Sequence, residues 1–367
     1  MRIDKGQIST KKFIFSIICY IQASAMLTSF ITAIVYQDSW LVILFGMIVC
    51  VPLIWLFNSL MVAFPDMNLI QILNKVYGPV AGKVIGAGYI WFFLTLSSLN
   101  LMDLGDFTKL TFMDEMPLLV LALMCVIVTS MVVRKGIKAV AWYSSMFVVV
   151  AVAILVISIL LLLNQMHYEN FLPTLHLSVL DYVQGTHIIL TIPFGELVAF
   201  LMITPNVKIS RENNRKHLFT GFIVGGLTIL FAVVRDVAVL GNTIDMFTLP
   251  SLVVIRLVRL GEALSRMEIL FAIVLIILLF FKIVFLQYVT VIALAQLFNI
   301  TSFRYLALSV GALMVAYGMT LYPNVVVHAA SGREIIPFLW TLFEILIPLL
   351  TFIIAKARKL PGKKEAR

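Results

Sequence analysis

The chain has 367 residues, 62% of them hydrophobic and 12% charged, with a mean hydropathy of +1.08. About half apolar content is the norm for soluble domains, so a soluble globular fold is excluded and the chain reads as a polytopic membrane protein. The formal net charge of +9, which in a soluble protein would suggest nucleic acid, fits Lys- and Arg-rich loops on the cytoplasmic side of a membrane instead.

A membrane-crossing helix needs about 20 mostly apolar residues. Runs of that kind cover 13–36, 40–63, 84–110, 117–133, 139–163, 184–204, 218–240, 268–296, 303–321 and 336–356. The polar MRIDKGQISTKK precedes the first run and no small-residue cleavage site follows it, so it reads as a retained span and not a signal peptide. The runs are too long for barrel strands, which would alternate in short segments. Three connections look structured: 66–82 as an amphipathic interfacial helix, 164–183 as a longer extracellular segment, and 249–266 as an outer amphipathic helix with Arg256 and Arg259 on one face. With the N-terminus inside, the cytoplasmic pieces, including the basic tail 357–367, hold most of the 27 Lys and Arg. Both termini are therefore expected in the cytoplasm. Spans one to five (13–163) and six to ten (184–356) form two halves of five that enter from opposite sides. This is the inverted-repeat plan of secondary transporters, where the first helix of each half is often broken around the substrate. The three cysteines, Cys19, Cys50 and Cys125, lie in apolar runs with no metal or disulfide spacing.

The sixth span carries TIPFGELVAF (191–200). Pro193 removes a helical N–H, Gly195 tolerates a bend, and the freed backbone groups need partners that a polar ligand or ion can supply. A kink packed against neighbours is the plainer reading; the added carboxylate of Glu196 favours a functional break. The first span reads CYIQASAMLTSF (19–30), with no glycine or proline; its run Gln22-Ala23-Ser24-Ala25 marks either a matching break or plain helix packing. Glu196 has two roles open to it: capping the second half-helix, or carrying a proton or holding a substrate ammonium. Lys282, midway along the eighth span, is too deep to reach water. It is a structural ion pair, a fixed charge standing where related transporters hold sodium, or a titrating group. Glu344 in the tenth span is a proton site or a buried hydrogen-bonded group. Asp103, Asp106 and Lys109 share one face of the third span and point to an outer vestibule, whereas the adjacent Arg235 and Asp236 face different ways and are not expected to pair. The five histidines lack metal-ligand spacing, and no phosphate loop, nucleophile elbow or metalloprotease motif occurs. Neither an enzyme nor a cofactor is expected.

Several stretches, in order along nearly the whole chain, resemble the spore germination B-subunit family: FPDMNLIQILNKVYGPVAGKVIG (64–86), LGDFTKLTFMDEMP (104–117), VVRKGIKAVAW (132–142), NFLPTLHLSVLDYVQG (170–185), the PFGE-centred TIPFGELVAFLMITP (191–205), LPSLVVIRLVRLGEALSRMEILF (249–271) and IVFLQYVTVIALAQLF (283–298). The resemblance implies an all-α fold of the amino acid–polyamine–organocation superfamily, with a leucine-transporter-like five-plus-five inverted repeat and broken helices one and six. It further implies an integral subunit of a nutrient germinant receptor in the spore inner membrane, working with an A subunit and a lipoprotein C subunit. Carried over by position, an amino acid or similar nutrient would sit between Gln22, Ala23, Ser24, Ala25 and Pro193, Phe194, Gly195, Glu196, with Asn100, Phe285 and Tyr288 in the walls. The chain departs from the family in lacking the span-one glycine and in having Met102 and Trp142 where arginine is common. Two functions are open at this point: a sensor that signals through partners, and a proton-coupled amino acid permease using Glu196, Lys282 or Glu344.

Overall fold

The computed structural model describes residues 4–207, 214–258 and 267–360, and every regular element among them is helical. The first apolar helical run, Thr10–Ala63, has 54 residues. At 1.5 Å per residue it would reach about 80 Å, more than twice the hydrocarbon core of a bilayer. It is interrupted at Tyr36, whose φ of 48° leaves the helical region, and so makes two spans, α1 (residues 10–35) and α2 (Ser39–Ala63). There follow α3 (Pro79–Thr111), α4 (Leu118–Arg134), α5 (Ile137–Gln165), α6 (Val179–Asn206), α7 (Lys216–Met246), α8 (Glu268–Leu297), α9 (Phe303–Leu321) and α10 (Ile336–Ala357). Each falls on an apolar run. α3 and α6 begin a turn or so before theirs, because helix-starting chemistry lies in the polar flank: Pro79 in the first turn of one, a Ser178–Asp181 capping box on the other.

The apolar window of α6 is 94% buried and that of α5 17%. α6 thus runs through the middle of the bundle and α5 along its rim. α7 lies close on α1 because small residues face it: a Cβ at Gly221 would come within 2.7 Å of Ile17, and one at Gly225 within 2.8 Å of Ile21.

Both expected breaks are present, in different forms. α1 is α-helical from Thr10 to Ala23, tightens to a 3-10 turn over Ser24–Thr28 and resumes at Ser29. Ser24, at φ −85° and ψ 4°, stays beside the helical region; without glycine the run tightens and does not unwind. α6 breaks fully. It is α-helical over Val179–Ile189, opens into a wide π turn at Leu190–Phe194, and continues as a tight 3-10 run from Gly195 to Asn206. The backbone leaves helical geometry at Ile192 (φ −118°, ψ 109°), the residue whose helical conformation the ring of Pro193 disfavours.

The connections differ in detail from expectation. Ahead of α3, which begins at Pro79, the segment 66–82 holds the expected short amphipathic helix, confined to nine residues, Leu69–Tyr77: it is started by an Asn68–Gln71 capping box and stopped at Gly78, where φ is 88°. Its apolar face, Leu69, Ile70, Leu73 and Val76, is buried in the bundle. Residues 163–171 form two 3-10 turns. Pro250–Arg256 is helical as expected, while Arg259 and the tail beyond residue 360 lie outside the described residues. An even number of spans returns both ends of the described chain to one face, here called the terminal face. There Arg358 donates to the Val76 carbonyl at 2.8 Å and Asn206 holds the backbone of Asp4 at 3.0 Å.

Candidate functional site

The two breaks are joined by a lysine. The ammonium of Lys282, from the middle of α8, lies 2.7 Å from Glu196 Oε2 and donates to Ser24 Oγ at 2.6 Å. Tyr20 donates its hydroxyl to the same Glu196 oxygen at 2.9 Å, and Lys282 Nζ stands 4.8 Å above the Tyr20 ring. All four side chains are buried. The wide turn at Ile192 places Glu196 in the first turn of the second half of α6, where a carboxylate is favoured by the helix dipole. Ionised groups in a dry interior survive only when paired and hydrogen-bonded. Glu196 and Lys282 meet that condition with each other, and Tyr20 and Ser24 supply the further hydrogen bonds.

Glu344 comes from α10, where the ladder widens into a π turn at Leu342–Leu346. Such a turn frees a backbone carbonyl, and Tyr89 Oη donates to that of Phe343 at 2.6 Å. The Glu344 carboxylate packs against Gly195, so closely that a Cβ there would overlap it. It is wholly buried, and neither oxygen has a hydrogen-bond partner among the described residues.

The predicted ligand residues divide into groups. Ser24 serves Lys282, whereas Gln22 and Ala25 line a pocket of about 60 Å³ bordered by α1, α5, α7, α8 and Ser251. The Gln22 Oε1 is buried without a partner among the described residues. No residue of Pro193–Glu196 lines that pocket; the two breaks meet instead through Lys282, between Ser24 and Glu196. Ala23, Pro193, Phe194 and Gly195 are buried, Phe194 with its ring edge-on to Phe222. Asn100 turns its amide nitrogen back to the Leu96 carbonyl and leaves Oδ1 without a partner among the described residues. Phe285 stacks on Phe200 at 4.4 Å and meets Tyr20 edge-on, a seal on the terminal side of the Glu196–Lys282 pair. Tyr288 is not with the breaks. Its hydroxyl donates to Asp4 Oδ2 at 2.9 Å on the terminal face, where the same oxygen accepts the Ile137 amide at 2.9 Å.

The side opposite the terminal face is open. Asp103, Asp106, Lys109 and Asp114 line a vestibule of about 540 Å³, and His328 Nδ1 lies 3.3 Å from Asp103. The adjacent Arg235 and Asp236 do pair, contrary to expectation: Arg235 donates through Nε and Nη2 to Asp236 Oδ1 at 2.9 and 2.6 Å and through Nη1 to Ser158 at 2.7 Å, and Ser251 donates to Asp236. Different headings along a helix keep short side chains apart. The long guanidinium stem folds back across its own helix, and burial forces both charges to take the nearest partner. Sequence reasoning missed Tyr20, Asp4 and His328. Of these only Tyr20, in the turn before the QASA run, carried a local signal.

A ten-span helical bundle with broken first and sixth helices is the architecture of secondary transporters, and solved transporters share it. The chain aligns with MhsT in complex with L-phenylalanine at a TM-score of 0.67 and 14% identity, covering 99% of this chain and 92% of that one. It aligns with Mhp1, a nucleobase-cation-symport-1 family transporter, at 0.65 and 14%, covering 92% and 78%. The likeness to those structures is one of fold; the family is specific: the signature described as Spore germination protein spans residues 7–325, and the chain belongs to that family. A relative, spore germination protein KB of Bacillus subtilis, is 24% identical over 99% of this chain and 98% of its own length.

Proposed function

We propose that the chain is the integral membrane subunit of a spore nutrient germinant receptor, which senses an amino acid or similar small nutrient at the breaks of α1 and α6. The observation that carries this reading is the clamp: one ammonium from α8 holds Ser24 of the first break and Glu196 of the second. A ligand that binds better when the clamp is rearranged shifts the balance between two helix arrangements, which is the requirement for signalling. Lys282 supplies from within the chain a positive charge between the breaks, matched by Glu196. Family membership supports a place in the spore inner membrane and action with A and C subunits. The basic Arg134, Lys135, Lys138 and Arg358, on or near the terminal face, support cytoplasmic termini. The halves 13–163 and 184–356 are read as the inverted repeat, and the ligand in MhsT supports an amino acid as the class of nutrient.

The alternative, a proton-coupled amino acid permease, is favoured by one feature: the unpartnered carboxyl of Glu344 beside the α6 break. Uptake of labelled amino acids into proteoliposomes, with and without a proton gradient, separates the two. The sensor reading expects saturable binding without accumulation. Gradient-dependent accumulation abolished by Glu196→Gln would overturn it.

A further inference from the structure

A groove of about 650 Å³ opens on the side of the bundle between α4, the start of α5 and α8, within the range of about 300–1,000 Å³ typical of small-molecule sites. Its floor, Phe281 and Val284 of α8, is buried, while Met146 and Trp142 beside it are 53% and 60% exposed. At one end only, the lining turns basic: Lys135 and Lys138, both exposed, flank the turn between α4 and α5. No carboxylate among the described residues pairs with either. Lys12 does not line the groove; its ammonium lies 3.8 Å above the ring of Trp142. Trp142 and Tyr143 are the ring types that settle where hydrocarbon meets headgroups. The apolar trough therefore ends at headgroup depth in two unneutralised ammonium groups.

We propose that this groove is a binding site for an anionic phospholipid, with an acyl chain lying on Phe281 and Val284 and the phosphate held by Lys135 and Lys138. A neutral lipid would fill the trough and leave the lysines unpaired. A partner helix would cover the apolar walls and gain nothing from cations gathered at one end. Basic recesses between membrane helices suit anionic headgroups. The floor also adjoins the clamp: Phe281 precedes Lys282 in α8 and stacks on Phe285, which stacks on Phe200 of α6. Lipid occupancy thus bears on the same turn of α8 that holds Glu196. The assignment stands whether the chain senses or transports.

The test uses the purified full chain, delipidated in detergent and titrated with phosphatidylglycerol or phosphatidylcholine of matched chains, with bound lipid counted by native mass spectrometry. At about 1 kcal/mol for each lysine near the headgroup, phosphatidylglycerol should be preferred roughly 30-fold. Lys135→Ala/Lys138→Ala should erase the preference and leave phosphatidylcholine retention unchanged; both changes are at exposed positions and leave the core intact. Met146→Trp, which fills the trough, should lower retention of both lipids. Equal retention of the two lipids by the unaltered chain, a preference that survives the double lysine change, or full retention by Met146→Trp would each overturn the proposal. So would displacement of the lipid by glycerol phosphate, which would make the groove a site for free phosphate.

Discussion

Lys282→Met keeps the length of the side chain and removes its charge. In the native chain the Lys282 ammonium lies 2.7 Å from Glu196 and 2.6 Å from Ser24, with all three groups buried. After the change Glu196 keeps only the Tyr20 hydroxyl at 2.9 Å. Removing one partner of a buried ion pair leaves the other charge uncompensated and costs about 3–5 kcal/mol. Lys282→Met/Glu196→Gln replaces the pair with two neutral groups of similar shape and should recover most of that loss, since buried pairs differ little in net stability from neutral replacements. The measurement is a double-mutant cycle by denaturant unfolding in mixed micelles, followed by the fluorescence of the five tryptophans. A single variant within about 1 kcal/mol of the unaltered chain, the value of an exposed pair, would refute the reasoning. So would a double variant no more stable than the single one.

Gly195→Ala places a methyl group against the Glu344 carboxylate. It should cost about 1–3 kcal/mol as an overpacked core change, and Glu344→Ala in the same chain should relieve it; a neutral Gly195→Ala in thermal unfolding would contradict the packing described. Asp4→Ala removes the acceptor of the Tyr288 hydroxyl and the Ile137 amide. Deuterium exchange at Ile137 and at Ile8, whose amide donates to the Asn206 carbonyl at 2.8 Å, should then quicken, and unchanged rates would show that Asp4 does not pin the N-terminal segment. Tyr89→Phe strands the Phe343 carbonyl in the π turn and should cost about 1–3 kcal/mol, read as a lowered unfolding midpoint. An unchanged midpoint would mean that the carbonyl finds another donor.

Span number and the place of the α6 break were legible in the amino-acid sequence, because each depends on residues adjacent in the chain; the α1 run was legible only as a candidate break. Hydropathy over one helix length is a local sum, and the effect of Pro193 on Ile192 acts between neighbours. The site was half legible for the same reason. Glu196, Lys282 and Glu344 stood out as charges in apolar runs, but nothing local said which carboxylate meets the lysine. That depends on the rotation and depth of α6, α8 and α10 relative to one another. Packing of side chains such as Ile17 and Ile21 into the small faces of α7 sets such relations, and no single helix carries that information. Adjacency even misled at Arg235 and Asp236, where a long flexible stem overrode the direction of the helix. The sequence by itself determined that Glu196, Lys282 and Glu344 must lie among the spans, away from water. The tertiary structure alone decided that Lys282 pairs with Glu196 and leaves Glu344 without a partner, because charge pairing in a dry interior is settled by ångström-scale distances between helices far apart in the chain.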